Sequence, residues 1–135
     1  HNDARRQRQM CIRDSNESTQ IITQEFIEDI YEGDFRILII HGKPFKKTLA
    51  RIPQGDSFKG NLAAGGKGVV KDISDFQFEM ASEIGDFLIQ KDINFAGIDV
   101  IGNFLTEINV TSPTCARQIL DQSGENPIQE YFEKL

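Results

Sequence analysis

Residues 35–52, FRILIIHGKPFKKTLARI, constrain the fold more than any other stretch of this chain. Two runs rich in β-branched and apolar residues meet at a glycine, with a proline just beyond it. That pattern predicts a β-hairpin about a Gly42–Lys43 turn. Residues 94–110, NFAGIDVIGNFLTEINV, repeat the pattern around Gly102–Asn103. Between the hairpins lies SDFQFEMASEIGDFLIQK, residues 74–91, whose Met80, Ala81, Ile84, Phe87 and Leu88 fall on one helical face. Ser74 and Gln77 have the spacing of a capping box at its start. Two hairpins separated by a helix predict an α+β unit built on an antiparallel sheet with packed helices.

The flanks are shorter. STQIITQEFI (18–27) reads as a strand and EDIYEGD (28–34) as an acidic turn. After TSP, Thr111 or Ser112 can cap a helix with Pro113 at its first position. NPIQEYFEKL (126–135) closes the chain as a short helix. Residues 50–68, ARIPQGDSFKGNLAAGGKG, hold five of the eleven glycines and nothing that could pack a core.

A length of 135 residues, 39% hydrophobic and 27% charged, suits one ordinary globular domain. Nothing approaches the run of about 18 apolar residues that spans a bilayer, and the first fifteen residues lack the apolar core of a signal peptide. Those fifteen carry four arginines against two aspartates, whereas the rest carries eleven basic and nineteen acidic groups. An acidic body argues against a nucleic-acid surface. The head, 1–15, has neither helical nor strand period and is expected to be disordered or artefactual, on a domain spanning 16–135. Cys11 and Cys115 are too few for a disulfide framework and fit a reducing cytoplasm.

Chemistry gathers on the hairpins. In a two-residue-turn register with Ile40 opposite Phe45, Arg36 faces Leu49 and Asp34 faces Arg51. Arg36 and Arg51 then share a face as diagonal neighbours. Such a pair is either an anion clamp for carboxylate or phosphate, or two solvated arginines beside acidic residues. Glu107 and Asn109, two apart on one strand, point to one face. Their oxygens suit a hard divalent cation, the alternative being a polar strand edge in water. A three-residue loop Gly102–Asn103–Phe104 would set Asp99 opposite Glu107 as a third ligand. The helix start expected at 111–114 would add free amides near an anion. The glycine-rich stretch lacks the order of a Walker motif. His41 reads as a turn residue and Cys115 as a buried structural thiol.

The long motifs LARIPQGDSFKGNLAAGGKG and GIDVIGNFLTEINVTSPTC resemble those of bacterial glutathione synthetases, which are ATP-grasp ligases. The likeness runs from about Thr19 to the end and implies the C-terminal portion of an ATP-grasp fold. It implies an enzyme that joins γ-glutamylcysteine to glycine through an acyl phosphate, with ATP and Mg²⁺ (or Mn²⁺) as cofactors. By the same resemblance Gln24, Glu25, Phe26 and Ile27 bracket the adenine and Asp34 meets the ribose. Arg36 and Arg51 are the catalytic arginines, and Asp99, Glu107 and Asn109 hold the metal. Residues 52–68 form a lid, in which Asn61, Gly65 and Gly66 meet ATP. Lys59 contacts substrate in place of an expected arginine, as Lys67 replaces another, and Ser112 and Thr114 lie near substrate carboxylates. Phe26 stands where a tyrosine is common.

The resemblance further implies a homo-oligomeric cytoplasmic enzyme with small-molecule substrates and neither nucleic-acid nor membrane partners. The family takes phosphate-binding lysines from a preceding half that this sequence does not include, so the chain alone is expected to be inactive. Two other readings stay open: a different ATP-grasp carboxylate–amine ligase, and a non-catalytic remnant acting as a binding module.

Overall fold

The computed structural model describes residues 25–54 and 66–135. A 3₁₀ turn, Glu28–Tyr31, leads into strands β1 (Asp34–Ile40), β2 (Lys43–Ile52) and β3 (Lys67–Asp72). Helix α1 (Asp75–Ile89) follows, then β4 (Phe95–Ile101), β5 (Phe104–Asn109), α2 (Ala116–Ser123) and α3 (Pro127–Glu133). The strands form one sheet in the order β3-β2-β1-β4-β5, every neighbouring pair antiparallel.

Central β1 is covered on both faces, which is why its sequence runs ILII without polar alternation. On one face Ile37, Ile39, Ala96, Ile98 and Val100 pack under Ala81 and Leu88 of α1. On the other, Leu38, Ile40, Phe45 and Leu49 pack under Cys115 and Ile119. Arg36, two residues before Leu38, continues this second face beyond the apolar cluster. The sheet therefore has an oily end near the β1–β2 turn and a charged end at the start of β1.

Both expected hairpins form, with differences in detail. The first turn is His41–Gly42, so Ile40 pairs with Lys43 and not with Phe45. Both turn residues have positive φ, 47° and 75°, as a tight hairpin turn of this hand demands. An irregularity opposite Leu38 then puts Phe45, Lys46 and Lys47 against one residue of β1. It restores the expected pairs Arg36–Leu49 and Asp34–Arg51. The second hairpin also turns in two residues, Ile101 pairing with Phe104, where a three-residue loop was expected. A bulge at Thr106 absorbs the extra residue and still brings Asp99 opposite Glu107. Thr106 Oγ1 fastens that bulge by donating to the Asp99 carbonyl at 3.1 Å.

Helix α1 carries the expected reciprocal capping box between Ser74 and Gln77. Its buried side is Gln77, Ala81, Gly85 and Leu88, while Phe87, expected inside, is 55% exposed. The rotation follows from one close approach. Gly85 lies against the Gly42 backbone, and a Cβ there would overlap the Gly42 carbonyl.

Three more segments differ from expectation or lie partly beyond its reach. The 18–24 part of the first expected strand lies outside the described residues, and 25–27 are irregular. Strand β3, not anticipated, begins inside the presumed lid at Lys67. The helix expected at 111–114 starts at Ala116, after Cys115 at a left-handed φ of 87°. The closing helix forms as expected, capped by the Asn126 side chain.

Candidate functional site

At the charged end of the sheet, β1, β2, β4 and β5 each contribute one or two ionisable groups to a single cluster. Asp99 of β4 sits opposite Arg36 across one ladder and opposite Glu107 across the next. Its carboxylate accepts from Arg36 Nε through Oδ1 and from Arg36 Nη2 through Oδ2 at 2.8 Å. Arg51 Nη2 approaches the same Oδ2 at 2.7 Å and donates to Asp34 Oδ2 at 2.5 Å. The anion between the two arginines is therefore a side chain of the protein. Arg36, Arg51 and Asp99 are 4, 9 and 5% exposed, so these charges are held away from water and their pairing matters.

Gly97 lets the guanidinium lie flat across β4. A Cβ there would come within 3.0 Å of Arg36 Cδ and 2.9 Å of the Pro113 Cβ. Burial pulls the Arg36 and Arg51 pKa values down, but hydrogen bonds and charge from Asp99, with Asp34 added for Arg51, more than offset it and raise both. Burial also raises Asp34, against the pull of Arg51 and with a smaller push from Asp99. Three buried polar atoms have no hydrogen-bond partner among the described residues of the cluster: Arg36 Nη1, Arg51 Nε and Asp34 Oδ1.

Glu107 and Asn109 lie at the rim. The Glu107 side chain is 54% exposed and 3.9 Å from Arg36 Nη2. Asn109 Oδ1 accepts from the Thr111 and Ser112 amides at 3.1 and 3.0 Å. These amides, expected to be free at a helix start, are thus occupied. Among the described residues no cluster of three or more His, Cys, Asp or Glu could hold a metal. The donors on this face are two carboxylates and an amide oxygen. Their chemistry fits a hard cation, although Asp99 and Asn109 already have partners.

A second feature lies beside the first. An open cleft of about 450 Å³ is lined by Glu25, Phe26, Ile27, Glu28 and Asp29 on one side and Phe104, Leu105 and Thr106 on the other. Phe26 meets Tyr31 edge to face, ring centroids 6.2 Å apart. Glu25, Phe26 and Ile27 were expected at a base-binding position; the contributions of Glu28, Asp29 and β5 were not. The available signal was the pair of large apolar residues, Phe104 and Leu105, in a strand that has no partner beyond it among the described residues. Asp34 does not line this cleft; its carboxylate belongs to the arginine cluster.

Gln24, Lys59, Asn61 and Gly65 lie outside the described residues. Gly66 immediately precedes β3 and is half-buried. Ser112 and Thr114 are exposed on the connection after β5, beside Pro113. Cys115 is buried in the core, as its sequence position suggested. His41, at the hairpin tip, stacks on Tyr131 of α3 with centroids 4.8 Å apart.

An antiparallel sheet with helices on both faces, a paired-arginine cluster and an open cleft define an α+β ligand-binding domain. The model of the prokaryotic glutathione synthetase ATP-grasp domain matches residues 7–124, and the chain belongs to that family. It is 46% identical over 117 residues to a glutathione synthetase of Xylella fastidiosa, covering 87% of this chain and 37% of that protein. Identity to the Xanthomonas campestris enzyme of the same name is 50% over 114 residues, 84% of this chain and 36% of the relative. For Nitrosomonas europaea it is 52% over 106 residues, 78% and 33%. The chain spans about a third of the length of the curated relatives it matches.

Proposed function

We propose that this chain forms the C-terminal part of the catalytic site of a glutathione synthetase. In the proposed reaction a γ-glutamylcysteine carboxylate attacks the terminal phosphorus of ATP, giving an acyl phosphate and ADP. The glycine amine then attacks the acyl carbon, an amide forms, and inorganic phosphate leaves. Such chemistry depends on positioning and charge stabilisation more than on covalent help from the protein. The observation that carries the reading is the meeting of Arg36, Arg51, Asp99 and Glu107 on one face, beside a cleft of base-binding size.

In this reading the cleft takes the adenine, packed between Phe26–Ile27 and Phe104–Leu105, with Gln24 and Glu25 beside it. Arg36 and Arg51 present planar donors to the transferred phosphoryl group and the substrate carboxylate. Asp34 holds Arg51 in place, a different role from the ribose contact that resemblance implies. Glu107, Asp99 and Asn109 would hold Mg²⁺ or Mn²⁺, which when bound neutralises phosphate charge. Lys59, Asn61, Gly65 and Gly66, with Ser112 and Thr114, complete the proposed substrate and nucleotide contacts. The full-length protein is proposed as a cytoplasmic homo-oligomer. No helix among the described residues is long and apolar enough to cross a membrane.

The test is a chimera in which residues 19–135 replace the matching third of the Xanthomonas campestris relative. Phosphate release dependent on γ-glutamylcysteine and glycine is expected, and Arg36→Met in the chimera should lower kcat by roughly a hundredfold or more. A folded chimera without turnover, or one indifferent to Arg36→Met, contradicts the proposal. The 135-residue chain alone should release no phosphate.

A further inference from the structure

We propose that Asp99 is the resident counterion of the Arg36–Arg51 pair, and that a cation at the carboxylates and an anion at the arginines bind cooperatively by dividing it between them. The inference rests on the reading of Asp99, Glu107 and Asn109 as cation ligands and adds a coupling to it. Asp99 accepts two charged N–H groups from Arg36, and Arg51 Nη2 lies against the same carboxylate at 2.7 Å. A carboxylate has about four acceptor positions, so little of it is left for a cation. The buried Arg36, Arg51 and Asp99 and the partly buried Asp34 sum to zero formal charge. An anion arriving alone meets a neutral cluster, and a cation arriving alone must compete with two guanidiniums.

Each ion removes the obstacle to the other. A cation that draws Asp99 towards Glu107 leaves the arginines two donors richer, and Arg36 Nη1 and Arg51 Nε are already without partners among the described residues. An anion that satisfies the arginines frees Asp99 for the cation. Coupling of this kind is reciprocal by thermodynamic necessity. The backbone need not move: Asp99 and Glu107 are cross-strand partners, so only side chains turn.

Inorganic phosphate is the probe, titrated calorimetrically into the 135-residue chain in EDTA and at one fixed Mg²⁺ concentration. The dissociation constant should tighten at least fivefold with Mg²⁺ in the wild-type chain. In Asp99→Asn it should be at least tenfold tighter than wild type in EDTA, with Mg²⁺ adding less than twofold. Restoration of Asp99→Asn folding by phosphate would count as the same result. Should that variant stay unfolded, the wild-type titration decides, together with the Arg36 Nε–H resonance. That resonance should move when phosphate and Mg²⁺ are added together and stay fixed with Mg²⁺ alone at the same concentration. Independent binding of the two ions, an Asp99→Asn affinity no better than wild type, or coupling without movement of the Arg36 resonance overturns the proposal. If the chimera turns over while the ions bind independently, this inference fails and the ligase reading stands.

Discussion

The two hairpins are built alike and used differently. Each turns in two residues and then corrects its register with an irregularity, opposite Leu38 in one and at Thr106 in the other. The β1–β2 hairpin lies in the middle of the sheet, and two of its charged residues, Arg36 and Arg51, are buried. In the β4–β5 hairpin, β4 is buried and β5 is the exposed edge among the described residues, its side chains half in water. Asp99 is on β4, yet its hydrogen bonds run to the arginines of the other hairpin. Glu107 and Asn109, on the open strand, keep to the rim. A site assembled this way has fixed cationic walls and an accessible acidic edge, which suits a ligand that brings phosphate and cation together.

Breaking the shared carboxylate should have the largest effect. Asp99→Asn leaves two buried guanidiniums without their main partner and should cost about 3 kcal/mol of unfolding free energy. Glu107→Gln, half-exposed and 3.9 Å from Arg36, should cost under about 0.5 kcal/mol. Urea unfolding of both variants in EDTA checks the ratio; equal losses would remove the distinction between wall and edge.

The turns should differ in the same direction. Gly85→Ala drives a methyl into the Gly42 backbone beneath the first hairpin tip, where nothing can swing away. The loss should be about 2 kcal/mol after the gain in helix propensity. Gly102→Ala at the second tip meets first the Asp29 side chain, whose carboxylate end can turn aside, at a φ of 56°. About 1 kcal/mol of left-handed strain is expected there. Thermal melts of the two variants give the comparison.

The smallest effect is in acid. Burial raises Asp34 above its ordinary value of 3.8, despite Arg51 beside it. The folded chain then holds this proton more tightly than the unfolded chain does. Its contribution to stability is present below 3.8 and is lost as pH rises through the higher folded midpoint. A carboxyl-¹³C titration in EDTA should place the Asp34 midpoint above that value, and Asp34→Asn should remove this component of the acid-side stability curve.

The hairpins, the helix between them and the closing helix were legible because glycine, β-branched runs and apolar period encode them locally. The Asp99–Glu107 pairing was reached with the wrong loop, since composition does not announce a bulge at Thr106. Strand β3 escaped because KGVVKD has two strong β residues and draws its stability from pairing with β2. What pairs Arg36 with Asp99 is the adjacency of β1 and β4, a contact across 63 residues. The sequence left the arginines open between a clamp for an anion and two solvated side chains beside acidic residues. It did not show that the chain supplies the anion. Resemblance marked Glu25, Phe26 and Ile27, while the wall of the cleft opposite them depends on where β5 ends up.

The most direct test is to locate the cation. Mn²⁺ titrated at substoichiometric amounts into the ¹⁵N-labelled chain, with phosphate present, should broaden the amides of residues 97–99 and 107–109 first. Broadening confined to Glu25, Glu28 and Asp29 at the acidic side of the cleft, with those strand amides unchanged, would contradict the account.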